Sequence, residues 1–99
     1  MSDLVDRARD ALKSVVDPEA GLNIVDLGLV YDVAIENGRL VALITFTTEA
    51  CPVGPRLAAE AERALAAVAG AAPVEIRVTF DPPWTPERIT PDGRALLGR

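Results

Sequence analysis

The 99-residue chain is 49% hydrophobic and 25% charged, with a net charge of −5. That is the profile of a single globular domain, residues 1–99, which buries about two-thirds of its unfolded surface. Its ten basic residues are scattered, which argues against a nucleic-acid surface; one cysteine makes no internal disulfide, and no apolar run nears the ~20 residues of a bilayer span. The opening Met1 to Arg7 is charged and lacks a signal-like apolar stretch, so a cytoplasmic protein with no membrane partner is expected.

From Asp3 to Val16, apolar residues recur at Leu4, Val5, Ala8, Ala11, Leu12, Val15 and Val16, a helical stripe with Ser2 or Asp3 as its cap. Asp17-Pro18 ends it, because the residue before proline is driven from the α region. A loop from Pro18 to Gly28 follows, with Gly21 and Gly28 at points that need conformational freedom.

Leu29–Glu36 and Arg39–Thr47 flank Asn37-Gly38, the preferred pair for a two-residue type I′ turn. Closing that turn sets Glu36 opposite Arg39, Ile35 opposite Leu40, Val33 opposite Ala42, Tyr31 opposite Ile44 and Leu29 opposite Phe46. Every second pair is apolar on both strands, so turn and pattern agree. Glu36 and Arg39 form an expected surface ion pair. Val41 and Leu43 on the other face suggest a second covered surface, either a partner contact or scattered exposed aliphatics.

Pro52 to Ala69 reads as a second amphipathic helix with Leu57, Ala61, Ala64, Leu65 and Val68 inward, and Gly70 as its stop. Pro73 to Phe80 alternates as a half-buried strand. In the proline-rich tail, Thr85-Pro86 and Thr90-Pro91 each place a capping hydroxyl before a first-turn proline, predicting two short helical turns. Trp84 either closes the core or presents a contact surface. The order α-β-β-α-β predicts an α/β (α+β) two-layer domain. Both helices lie on one face of a small mixed three-stranded sheet, whose third strand runs parallel to the second.

Chemistry centres on Thr45 to Pro55, which holds the lone Cys51 at a strand-to-helix junction. Backbone N–H groups and the helix dipole favour an anion there, a thiolate included. A cysteine is equally a small buried hydrophobe, and position alone leaves both readings open. The chain has no histidine, so a Cys–His nucleophile is excluded and the protein is not expected to be an enzyme. Arg56, a turn into the helix, is placed to support a thiolate. Glu49 opposes one by like charge but offers a hard metal ligand. Thr47 and Thr48 offer hydroxyls to the loop backbone. Asp17, Glu19 and Asp26 form an acidic loop that could offer metal oxygens or partner docking, though such residues more often stop a helix and form turns.

Four motifs follow one another: Asp17-Pro18-Glu19, then Asn23 to Tyr31 (Asn-Ile-Val-Asp-Leu-Gly-Leu-Val-Tyr), then Thr47-Thr48-x-x-Cys51-Pro52, then Asp81-Pro82-Pro83-Trp84-Thr85-Pro86. Together they resemble the SufT- and PaaD-type iron–sulphur assembly family, formerly domain-of-unknown-function family 59, over about Val15 to Leu97. The resemblance implies the same α-β-β-α-β fold, a reactive cysteine at Cys51, and an acidic motif at Asp17, Glu19 and Asp26. It also implies a dimer and work beside iron–sulphur assembly proteins and client apoproteins. PaaD-type members carry a cysteine-rich C-terminal extension; no cysteine follows Cys51 here, so the likeness is to the short SufT-like type. Glu49 departs from the family pattern, where a proline or small residue is expected two before the cysteine. The function implied is auxiliary iron–sulphur maturation, with a transient cluster or iron bound through Cys51 of more than one chain. The alternative is a metal-free adaptor using the hairpin face, the acidic loop and Trp84.

Overall fold

Asn37 and Gly38 both take positive φ, 53° and 78°, and close the type I′ hairpin as expected. In the computed structural model, which describes residues 3–98, the elements in order are α1 (Asp3–Leu12), β1 (Val16–Asp17), β2 (Leu22–Asn23), β3 (Val30–Glu36), β4 (Arg39–Ile44), α2 (Gly54–Ala69) and β5 (Val74–Val78). A 3₁₀ turn (Pro86–Arg88) and α3 (Pro91–Leu96) complete the tail. The larger sheet has the order β3-β4-β5, with β4 antiparallel to β3 and parallel to β5.

One face of this sheet is dry. Leu40, Ala42 and Ile44 of β4 pack with Ala8 and Leu12 of α1 and Leu57, Ala61 and Leu65 of α2 in one buried cluster. Each fully buried leucine or isoleucine there contributes about 1.5–3 kcal/mol. The expectation of two helices over a mixed sheet, with short helical turns after it, is met.

Several local expectations fail. The first helix ends at Leu12 rather than Val16. Lys13, Ser14 and Val15 tighten into successive three-residue turn bonds at 3.1 Å, and Val16-Asp17 then pairs with Leu22-Asn23. The ladder takes the chain from the helix, so Val15 is buried while Val16 is 47% exposed. The proposed Ser2 cap lies outside the described residues.

Hairpin register holds from Glu36–Arg39 out to Asp32–Leu43, then slips by one, and Val30 rather than Tyr31 opposes Ile44. Tyr31 is the extra residue of a β-bulge. The second helix starts at Gly54, not Pro52, and the last strand is confined to Val74–Val78.

Val41 is 4% exposed although it faces away from the helices. No partner is needed to cover it. Arg77 of β5 reaches Glu36 of β3 at 3.3 Å, over the central strand that carries Val41. Arg39 pairs with Glu75 at 3.7 Å rather than with the expected Glu36, because β5 sets its own opposite charges alongside. A long arginine stem so placed can cover an apolar neighbour while its head stays in water. Leu43, its neighbour on that face, lines a cleft of about 720 Å³ with Tyr31 and Pro82.

Candidate functional site

The parallel pairing of β4 and β5 fixes where the motif-bearing loops meet. Both strands end on the same side, at Ile44 and Val78, and β3 begins there at Val30. Hydrogen bonds continue the junction past the strands: Thr45 N–H donates to the Leu29 carbonyl at 2.8 Å and Thr79 N–H to the Ile44 carbonyl at 2.9 Å. Phe46 and Phe80 follow as a tilted ring pair with centroids 6.1 Å apart, worth about 0.5–1.5 kcal/mol beyond burial. Loops 24–29, 45–53 and 79–85 therefore crowd one end of the sheet.

Cys51 stands in the middle loop, partly exposed and free. Two consecutive turns hold it. Its N–H donates to the Thr48 carbonyl at 3.3 Å, and its carbonyl accepts from the Gly54 N–H at 3.2 Å. Gly54 is buried against the Phe46 ring, so closely that an added Cβ would sit 3.0 Å from it. The start of α2 is thus clamped to the end of β4, and the thiol rides on that clamp. Val53 precedes the helix without a side-chain cap bond, which leaves the first-turn N–H groups of α2 uncapped by side chains.

The residues expected to assist Cys51 are placed unevenly. Thr47 is half-buried, while Thr48 and Glu49 are exposed; Thr48 contributes its carbonyl. Arg56 Nε is 2.9 Å from Glu60 Oε2 one turn along α2, so its guanidinium is engaged away from the loop.

Asp17 and Asp26 are 2% and 7% exposed, and both carboxylates accept hydrogen bonds. Asp17 Oδ1 accepts from the Glu19 N–H at 2.9 Å, closing the turn that Pro18 begins, while Glu19 itself is exposed. Asp26 Oδ2 accepts from Asn23 Nδ2 at 2.8 Å, and its Oδ1 from the Thr90 hydroxyl at 3.0 Å. The Asp26 carbonyl also takes the Thr90 N–H at 2.9 Å. Thr90 in turn caps α3, accepting from the Gly93 N–H at 2.9 Å, whereas Thr85 makes no side-chain cap bond.

Trp84 answers the question posed by its sequence. It packs against the core and donates its Nε1–H to the Leu27 carbonyl at 2.7 Å. The tail is therefore tied to the Asn23–Tyr31 motif at several points. Tyr31 adds one that its sequence position did not announce: its hydroxyl donates to the Pro82 carbonyl at 2.7 Å, and Arg88 lies 4.7 Å over its ring. The bulge frees Tyr31 for this role, and only the register slip could have shown it. Among the described residues, no three of His, Cys, Asp and Glu are grouped to hold a metal ion.

A family model described as iron-sulfur cluster assembly protein matches residues 6–78. The chain is similar to the Fe-S protein maturation auxiliary factor YitW of Bacillus subtilis, 39% identical over 89% of this chain and 87% of that one. It is also similar to the Fe-S protein maturation auxiliary factor SufT of Staphylococcus aureus, 34% identical over 85% and 97%. A crystal structure of a DUF59 domain from Bacillus anthracis superposes with a TM-score of 0.89 at 33% identity, covering 96% of this chain and 92% of that one.

Proposed function

The chain belongs to the iron–sulphur cluster assembly protein family, and on that premise we propose an auxiliary factor that accepts iron or an iron–sulphur cluster through Cys51 and hands it to client apoproteins. The observation that carries this reading is the position of Cys51. The chain's single thiol is partly exposed, on a loop clamped where three motif-bearing loops meet.

A cluster takes about four ligands, mostly thiolates. This chain offers one, so the others come from outside it: a second copy, an assembly protein, a client or an external thiol. The Cys51 thiol gives up its proton on binding iron and regains one on release. A single protein–cluster bond is exchanged for a client thiolate more readily than four, which suits a carrier better than a resident centre. No hydrolytic or redox step is assigned to the chain, and its place of work is the cytoplasm beside the assembly machinery.

Anaerobic reconstitution tests this directly. The wild type should show thiolate-to-iron absorbance with iron and sulphide that co-elute, and Cys51→Ser should lose all three. Absence of iron from the wild type would overturn direct carriage. Client capture that persists in Cys51→Ala would then establish the metal-free adaptor.

A further inference from the structure

The tail leaves one edge of the sheet open. Residues 79–98 turn back toward β3 and the 24–29 loop, through the Tyr31–Pro82, Trp84–Leu27 and Thr90–Asp26 bonds. β5 therefore ends the sheet with no strand outside it among the described residues.

Its free groups can be identified from the side already used. Leu40 N–H donates to the Pro73 carbonyl and Thr79 N–H to the Ile44 carbonyl. In a parallel pair, alternate residues bond to the neighbouring strand, so β5 turns residues 73, 75, 77 and 79 toward β4. The N–H and C=O groups of Val74, Ile76 and Val78 point outward.

The side chains divide the same way. Glu75 and Arg77 lie on the open face in the ion-pair network with Glu36 and Arg39. Val74, Ile76 and Val78 border a groove against Pro55, Ala58 and Ala59 of α2, and Val78 is 44% exposed.

We propose that this edge pairs with the same edge of a second copy, antiparallel about a two-fold axis through Ile76. The segment Val74-Glu75-Ile76-Arg77-Val78 complements itself in that register. Ile76 meets Ile76 of the second copy and Val74 meets its Val78, while Glu75 meets its Arg77 twice over. The outward-facing residues are those that become hydrogen-bonded pairs, giving about six inter-chain bonds. Glu75 and Arg77 fall at the non-bonded positions, where side chains come closest. Shifting the register by one residue sets outward backbone groups against inward ones, and shifting it by two sets Glu75 against Glu75 or Arg77 against Arg77. On the α2 side the groove is lined by Pro55, the small Ala58 and Ala59, and Glu62.

The pairing is isologous and closed, so it stops at two copies. It also forms a continuous six-stranded sheet whose two Cys51 loops sit at opposite ends. The Val78 ends alone are separated by about 13 Å along the strands, and the loops lie beyond them. This dimer presents two independent thiols and does not join them on one cluster.

Charge swapping tests the register. Sedimentation across roughly 1–500 µM should show a concentration-dependent dimer for the wild type. Glu75→Arg and Arg77→Glu each place two like-charged pairs across the axis and should dimerise at least ~tenfold more weakly. Mixed in equal amounts, the two variants restore every opposite pair and should form a heterodimer. That recovery also shows that both variants fold. A monomeric wild type, dimers that persist in both single variants, or a mixture that stays monomeric would each overturn the proposal. No step of the assay reads iron, so it stands or falls apart from the cluster reading.

Discussion

Replacing Gly28 by alanine should detach the tail from the body of the domain. Gly28 has φ +81°, and a Cβ there would collide with the Arg88 carbonyl oxygen and lie 2.7 Å from its carbonyl carbon. These are backbone atoms, so no rotamer change relieves the collision. The chain at Arg88 must retreat by about an ångström or more. Flanking bonds then stretch: Trp84 to Leu27, and Thr90 to both the carbonyl and the carboxylate of Asp26.

Three such bonds at ~0.5–1.5 kcal/mol each, with ~1–2 kcal/mol for an L-residue in left-handed backbone, give a loss of about 3–6 kcal/mol. That is a large share of the ~5–15 kcal/mol available to a small domain. Gly21 is the internal control: its φ is +70° with nothing within 4 Å of the added Cβ, so Gly21→Ala bears only the conformational part, about 1–2 kcal/mol. Urea unfolding followed by the fluorescence of Trp84 measures both, and amide exchange at Thr90 reports the detachment. Equal costs for the two variants, with Thr90 protection unchanged, would refute the close-approach argument.

Thr90→Val removes the α3 cap and the hydroxyl bond to Asp26 together, and should cost about 2–3 kcal/mol by denaturation; a loss below ~0.5 kcal/mol would mean that the tail is held elsewhere. Gly54→Ala presses on the Phe46 ring and through it on Phe80, with an expected cost of about 1–3 kcal/mol. Its faster alkylation of Cys51 would show that the clamp restrains the thiol loop, and an unchanged rate would show that it does not. The hydrogen bond from Arg77 holds the Glu75 carboxyl below the usual carboxylate range, with the charges of Arg77 and Arg39 adding to it. The ion-pair contribution is therefore complete above the ordinary carboxylate pKa and disappears only as pH falls through the depressed value. Carboxyl-carbon NMR should place the Glu75 midpoint below that of glutamate in an unstructured peptide; a midpoint at or above the reference contradicts the pairing.

Local rules made the hairpin and the tail turns legible. Asn37-Gly38 dictates a turn because few other pairs tolerate two positive φ values, and the register follows from it by counting. The count fails at Tyr31, where the tail supplies a hydrogen-bond acceptor, Pro82, that lies 51 residues away in the chain. Likewise Val16 fits a helical stripe, and only the pairing with Asn23 removes it from one. The acidic motif shows the same limit. Asp17 and Asp26 read from sequence either as turn formers or as docking carboxylates, and only the fold shows which backbone and side-chain groups they accept from, in the turn at Glu19, at Asn23 and at Thr90 of the tail.

By itself the sequence determined the element order, the two-layer architecture and the lone thiol before a helix, since each depends on periodicity, turn chemistry or simple count within a short window. Which end of the sheet gathers the motifs, which edge stays open and which charges cover Val41 were decided only by tertiary structure. Those outcomes depend on the parallel placement of β5 beside β4, a contact between segments some thirty residues apart whose energy no local window contains.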